Sequence, residues 1–214
     1  MATIAKKPEG SGDFKLVPEG VHMAVCDMMV DIGMQPVAYQ GETKMKHKIY
    51  LRFQIPAQRV TINGEDLPMV IGNRYTLSLF QQAILRKHLV SWRGQEFTPE
   101  EENGFDVETV VGVPCQIQII HNKQEGSDRT YANIGNIMAL PQGMEGPKPE
   151  NGTVIYHKDD GETTVAMALP GFIRKWCGLV ELTKESTQEQ PSGLSGEHPA
   201  GPMPDFVPDQ RIPF

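Results

Sequence analysis

Residues 44–55, KMKHKIYLRFQI, decide how this chain folds. As a β-strand, the stretch sends His47, Ile49, Leu51, Phe53 and Ile55 to one face and Lys46, Lys48, Tyr50, Arg52 and Gln54 to the other, with Lys44 continuing the second row. The first face is built for a core. The second sets cations around a ring, which can track a phosphate backbone while Tyr50 stacks on a base. The same row also fits a half-buried strand whose polar side is merely solvated. The flanking sequence has to separate these two readings.

Upstream, residues 21–32 (VHMAVCDMMVDI) predict a long, curved first strand after Gly20. His22 and Cys26 fall on it as core residues, since four residues along a strand is too far for a shared metal ion. A polar loop at 33–43 follows, with Pro36, Gly41 and Tyr39, a second candidate for stacking. Downstream, a turn around Asn63-Gly64-Glu65-Asp66 leads to a third strand at 69–80. Its RYTLSLF end sends Tyr75, Leu77 and Leu79 inward and Arg74, Thr76 and Ser78 to the side of Lys46. At 81–92 the period becomes helical: Ile84, Leu85, His88, Leu89 and Trp92 form a stripe opposite Arg86, Lys87 and Arg93, and Gly94 ends it. Thr98-Pro99-Glu100-Glu101 reads as another helix start. Two more strands, 114–121 and 129–140, are joined by a hairpin-like loop that carries Lys123 and Gly126. Arg129 and Tyr131 repeat the cation-beside-ring arrangement of Tyr50 and Arg52.

The predicted fold is therefore mainly β: a five-stranded OB-type barrel with one helix between the third and fourth strands. In that architecture the second and third strands, with the first and last loops, form the usual oligonucleotide face. The candidate DNA-binding residues are Tyr39, Lys44, Lys46, Lys48, Tyr50, Arg52, Arg74, Lys123, Arg129 and Tyr131. The predicted division is a flexible arm at 1–19, the barrel at 20–141, a linker and short packed extension at 142–182, and a disordered acidic tail at 183–214. In the extension, TVIYH reads as a short strand and Phe172, Ile173, Trp176, Leu179 and Val180 as an amphipathic helix. It has too few apolar residues for a core of its own, so it packs on the barrel or on another copy of the chain.

The formal net charge of −7 argues against a uniformly basic surface, but the charge is segregated. Residues 44–93 hold nine cations against two carboxylates, whereas 95–111 hold six carboxylates and no cation. No glycine-rich phosphate loop, paired-histidine motif or nucleophile elbow is present, so the expectation is a non-catalytic protein without metal or cofactor. The three cysteines, Cys26, Cys115 and Cys177, are too few and too far apart for a disulfide framework. The opening MATIAKKPEG has no apolar signal-peptide core and no run reaches membrane-spanning length, so a cytoplasmic location is expected.

The last ten residues, DFVPDQRIPF, bring apolar side chains back at the end of a polar, acidic stretch. This tip resembles that of bacterial single-stranded DNA-binding proteins, which ends in an acidic run followed by Ile-Pro-Phe. The matching residues are Asp205, Phe206, Asp209, Ile212, Pro213 and Phe214. It departs from the pattern in having isolated acids and Arg211 just before the motif. The overall layout is more similar to the OB-fold single-stranded DNA-binding proteins of bacteriophages. The resemblance implies a protein that coats single-stranded DNA and recruits replication, recombination and repair proteins through its tip. An OB-fold adaptor that engages an acidic protein through its basic strand is the alternative, and homo-oligomerisation is left open.

Overall fold

The apolar run after Gly20 becomes the central strand of the molecule. A computed structural model describes residues 15–39, 41–123 and 129–179, with the backbone alone at Tyr39. Strand β1 (Gly20–Tyr39) pairs antiparallel with β2 (Glu42–Ile62) on one side and β4 (Pro114–Lys123) on the other. Outside these lie β3 (Glu65–Thr76) and β5 (Thr130–Met138), giving the order β3-β2-β1-β4-β5. The sheet curls into an antiparallel half-barrel, and helix α1 (Ile84–Arg93) lies against both β3 and β5. A sixth strand, β6 (Val154–His157), adds parallel to β1 at Met28–Asp31. Among the described residues, no helix is long and apolar enough to cross a membrane.

Irregular pairing carries the strands past their expected ends. The ladder between β1 and β2 shifts register at Cys26/Met28 and again at Asp31/Gly33, where Gly33 takes φ +72°. Pairing then resumes from Gly33↔Lys48 to Tyr39↔Glu42. The expected polar loop at 33–43 is therefore a two-stranded arm. Likewise β2 passes Pro56 through a shift between Ile55 and Arg59 and reaches Ile62. Asn63 and Gly64, both at positive φ, turn it into β3. That strand ends at Thr76, not at residue 80, because the chain leaves the ladder for α1 after the Leu77 N–H bonds the His47 carbonyl. Leu77, expected inside, is exposed, and so is Phe80.

Helix α1 starts later than its periodicity predicts, leaving Ile84 exposed, but Leu85, His88, Leu89 and Trp92 are buried as one stripe. Gly94 closes it in the left-handed conformation. Helix α2 (Pro99–Glu102) opens with the Thr98–Glu101 capping box that its sequence announces.

Two cores sandwich the sheet. On the inner face Ile49, Leu51, Phe53 and Ile55 pack with Leu85, Leu89, Trp92, Ile117, Ile119 and Ile137. On the outer face Met28, Val30, Ile32 and Tyr50 pack with Tyr156 of β6, with Ala166 of α3 (Thr164–Ala168), and with Ile173 and Cys177 of α4 (Gly171–Cys177). The extension thus packs on its own barrel. Its entry is fixed by a buried polar chain. The Asp27 carboxylate, with no solvent exposure, accepts from Arg52 Nη2 at 2.7 Å and Gln54 Nε2 at 2.8 Å. Gln54 Oε1 in turn accepts the Glu150 N–H at 3.0 Å, and Arg59 Nη1 bonds the Glu150 carboxylate at 2.6 Å.

Two stability effects follow. Asp27→Ala leaves the Arg52 guanidinium without its buried counter-charge and should cost about 3 kcal/mol in urea denaturation; a loss under 1 kcal/mol would refute this role. His88 accepts or donates at 2.9 Å with Tyr75 Oη, and burial pushes its pKa down to about 4. Because the unfolded chain binds that proton near pH 6.5 and the folded one does not, stability should fall as pH drops from 7 to 5, by roughly 2 kcal/mol. His88→Gln should abolish most of that pH-dependent difference.

Candidate functional site

The row predicted for solvent does share one face, but most of it is roofed. Tyr50 is only 7% exposed and its hydroxyl pKa is raised to about 12 by burial. Its ring meets Phe172 and Trp176 of α4 edge-on, with centroids 6.0 and 5.7 Å apart. It lies over Gly72, where an added Cβ would sit 2.1 Å from Tyr50 Oη. Arg52 is held by Asp27, and Lys48 is buried with its ammonium 2.8 Å from Thr76 Oγ1. Tyr50 is thus no open platform, and Arg52 already neutralises an internal carboxylate. The physical reason is the extension, which covers this part of the sheet.

The aromatic surface reappears one layer further out. Helix α4 begins after Pro170 and ends at Gly178 in the left-handed conformation. Ile173 and Cys177, four apart, point into the outer core. Phe172 and Trp176, one position earlier on the helical wheel, are turned partly outward, and Phe172 is 50% exposed. Their rings are 5.0 Å apart at a steep angle. Exposed Arg74, directly opposite Tyr50 on β3, places its guanidinium carbon 5.1 Å from the centre of the Trp176 ring.

The arm borders the same surface. Gln35, paired with Lys46, donates from Nε2 to the Trp176 carbonyl at 3.2 Å. Lys46 and Lys175 are exposed, and exposed Lys44 forms an ion pair with Glu42. The structure therefore gathers Lys46, Arg74, Lys175, Phe172 and Trp176 beside the β2–β3 face. Sequence reasoning assigned Phe172 and Trp176 to a packing stripe and gave Lys175 no role. The available signal was Phe172 and Trp176 lying just off the Ile173–Cys177 line.

Lys123, Arg129 and Tyr131 are placed elsewhere. They sit where β4 and β5 meet their loop, across β1 from β2, with Tyr131 41% exposed. The Tyr39 side chain and the tip residues Asp205, Phe206, Asp209, Ile212, Pro213 and Phe214 lie outside the described residues. Cys26, Cys115 and Cys177 are buried free thiols, and burial raises the Cys115 pKa to about 12. Among the described residues, no three histidine, cysteine or carboxylate side chains gather as a metal site. Neither a protein-family model nor a curated protein matches this chain.

The packing of Tyr50 makes a specific prediction. Gly72→Ala should push the ring against α4 and lower the thermal midpoint, and Tyr50→Ala should cost about 3 kcal/mol. A Tyr50→Ala protein as stable as the wild type would mean that α4 does not depend on that ring.

Proposed function

We propose that this chain is an OB-fold binder of single-stranded DNA whose nucleotide platform is assembled from the β2–β3 face and α4. The sheet order β3-β2-β1-β4-β5, with α1 and the short α2 between the third and fourth strands, supports the barrel assignment. The observation that carries the function is the placement of half-exposed Phe172 and partly buried Trp176 beside Lys46, Arg74 and Lys175. Unpaired bases present π-faces for Phe172 and Trp176, and the cations meet the accompanying phosphates. Neither contact depends on base identity. The protein acts without catalysis in the bacterial cytoplasm, and the tip at 205–214 recruits replication and repair proteins, in keeping with the resemblance of its Ile-Pro-Phe end.

Titration with oligo-dT should quench Trp176 fluorescence and leave the inner-core Trp92 little affected, so Trp176→Phe should remove most of the quench. Lys46→Ala with Arg74→Ala should lower the slope of log affinity against log salt by about 1.4, two phosphates' worth for a single strand. Phe172→Ala should cost roughly 1 to 3 kcal/mol of binding. Wild-type affinity in both variants would sink this site, and no binding of any oligonucleotide by the wild type would favour the protein-adaptor reading.

A further inference from the structure

Helix α3, reading TVAMA, has no charged side chain. Thr163 caps it by accepting the Ala166 N–H at 3.1 Å, and Ala166 and Leu169 anchor it in the outer core. A helix this short keeps its shape only through such packing. The side it turns away from the core is apolar as well, with Val165 40% and Met167 59% exposed. Between α3 and the outer face of β1 and β6 lies an open groove of about 240 Å³, lined by Met28, Val154, Thr164, Val165, Ala168 and Leu169. That volume is under the roughly 300 Å³ at which small-molecule sites begin, and it suits an apolar side chain or two carried by a larger partner.

The charge beside the groove is one-sided. Residues 149–173 hold the carboxylates Glu150, Asp159, Asp160 and Glu162, and apart from His157 their one cation is Lys158. Glu150 is engaged with Arg59. Lys158 is turned toward the β1 bulge, where its Cδ lies 3.1 Å from the place a Cβ on Gly33 would take. Asp159 and Glu162 are exposed and form no ion pair among the described residues. These acids stand close to the floor of the groove. Tyr156 shares the outer core with Met28 and Leu169, and its hydroxyl donates to the Gly161 carbonyl at 2.8 Å. Burial raises the pKa of that hydroxyl, and Cys177, Asp160, Asp159 and Glu162 raise it further. A polyanion is repelled by such a surface, which disfavours nucleic acid and an anionic membrane alike. The complement of an apolar groove beside unpaired carboxylates is an apolar anchor flanked by lysine or arginine.

We infer that the groove between α3 and β6 docks a short segment of another protein, an apolar side chain with basic neighbours. Its chemistry is the reverse of that proposed for the tip at 205–214. There this chain offers an apolar end with acids to a partner, and here it receives an apolar anchor with cations. The inference does not rest on DNA binding, and its test reads peptide alone.

The test selects short random peptides on the full chain and measures the enriched sequences by fluorescence anisotropy. They should carry an apolar anchor beside Lys or Arg, and their affinity should fall as salt rises. Val165→Asn should weaken them by roughly 10-fold, as should Glu162→Lys with Asp159→Lys, and the charge reversal should also flatten the salt dependence. All three side chains are exposed, and the thermal midpoint of each variant checks its fold. Amide chemical shifts of residues 154–157 and 164–169 should move when peptide is added to the wild type, a readout that needs no variant. No enriched peptide, an acidic or purely apolar consensus, or wild-type affinity in both variants would overturn the inference. A wild-type dimer that Val165→Asn dissociates would overturn it too, because the occupant would then be a second copy of the chain.

Discussion

The carboxylate of Asp27 is the constraint on which the outer half of the molecule depends. A charge with no solvent exposure costs several kcal/mol unless it is paired and fully bonded. Here the compensation comes from Arg52 and Gln54, two neighbours on the outer row of β2. That requirement settles what the row can do. Arg52 is drawn down onto the sheet, and Gln54, holding Asp27 with its amide nitrogen, turns its oxygen to the Glu150 N–H. The extension is thereby started at a fixed place, from which β6 adds to β1 and α4 reaches Tyr50. A cationic strand face becomes an interior layer because one buried anion needs its cation.

The inner face of the barrel was legible because alternation and helical period report directly on burial. Ile49, Leu51, Phe53 and Ile55, and the stripe from Leu85 to Trp92, are where their spacing puts them. The strand ends were not, because a bulge depends on the partner strand and not on the sequence that carries it. Period two says which residues share a face, and it is silent on what lies above that face. The missing information was in β1. Residues 24–30 are apolar on both parities apart from Asp27, the pattern of a strand covered on two sides. A strand roofed on its outer side implies that its neighbour β2 is at least partly roofed as well. Tyr50 therefore followed from Met28 and Val30.

Covering Tyr50 does not remove aromatic surface from this part of the protein; it exchanges one kind for another. A tyrosine on an open strand presents one ring held by its own rotamer. Phe172 and Trp176 are held by a seven-residue helix too short to persist alone, so their positions are set by Ile173 and Cys177 in the outer core and by the end signals Pro170 and Gly178. Tyr50 supports both rings edge-on from below. The rings are preorganised by packing, which reduces the ordering entropy charged to any ligand that stacks on them. The apolar residues of the extension, too few for a core of their own, are enough to fix this geometry once they pack on the sheet.

Net charge is a poor guide to such a molecule because screening makes charge local. At physiological ionic strength the Debye length is about 8 Å, so a phosphate in contact with Arg74 or Lys46 responds chiefly to charges within a turn or two of chain. Three of the six carboxylates of 95–111 are committed to α1, with Glu96 and Glu102 on Arg86 and Glu101 on Arg93. They neutralise cations of α1 that the sequence counted toward a basic middle. The usable positive charge is therefore smaller than the local count at 44–93, and concentrated at the arm and β3. Long-range approach of a polyanion is governed by the total charge, and retention by the contacts. Under the proposed function, an acidic chain with a small basic platform would associate slowly with nucleic acid in general and hold a strand only when its bases are free to stack, a discrimination between paired and unpaired DNA that needs no base-specific contact.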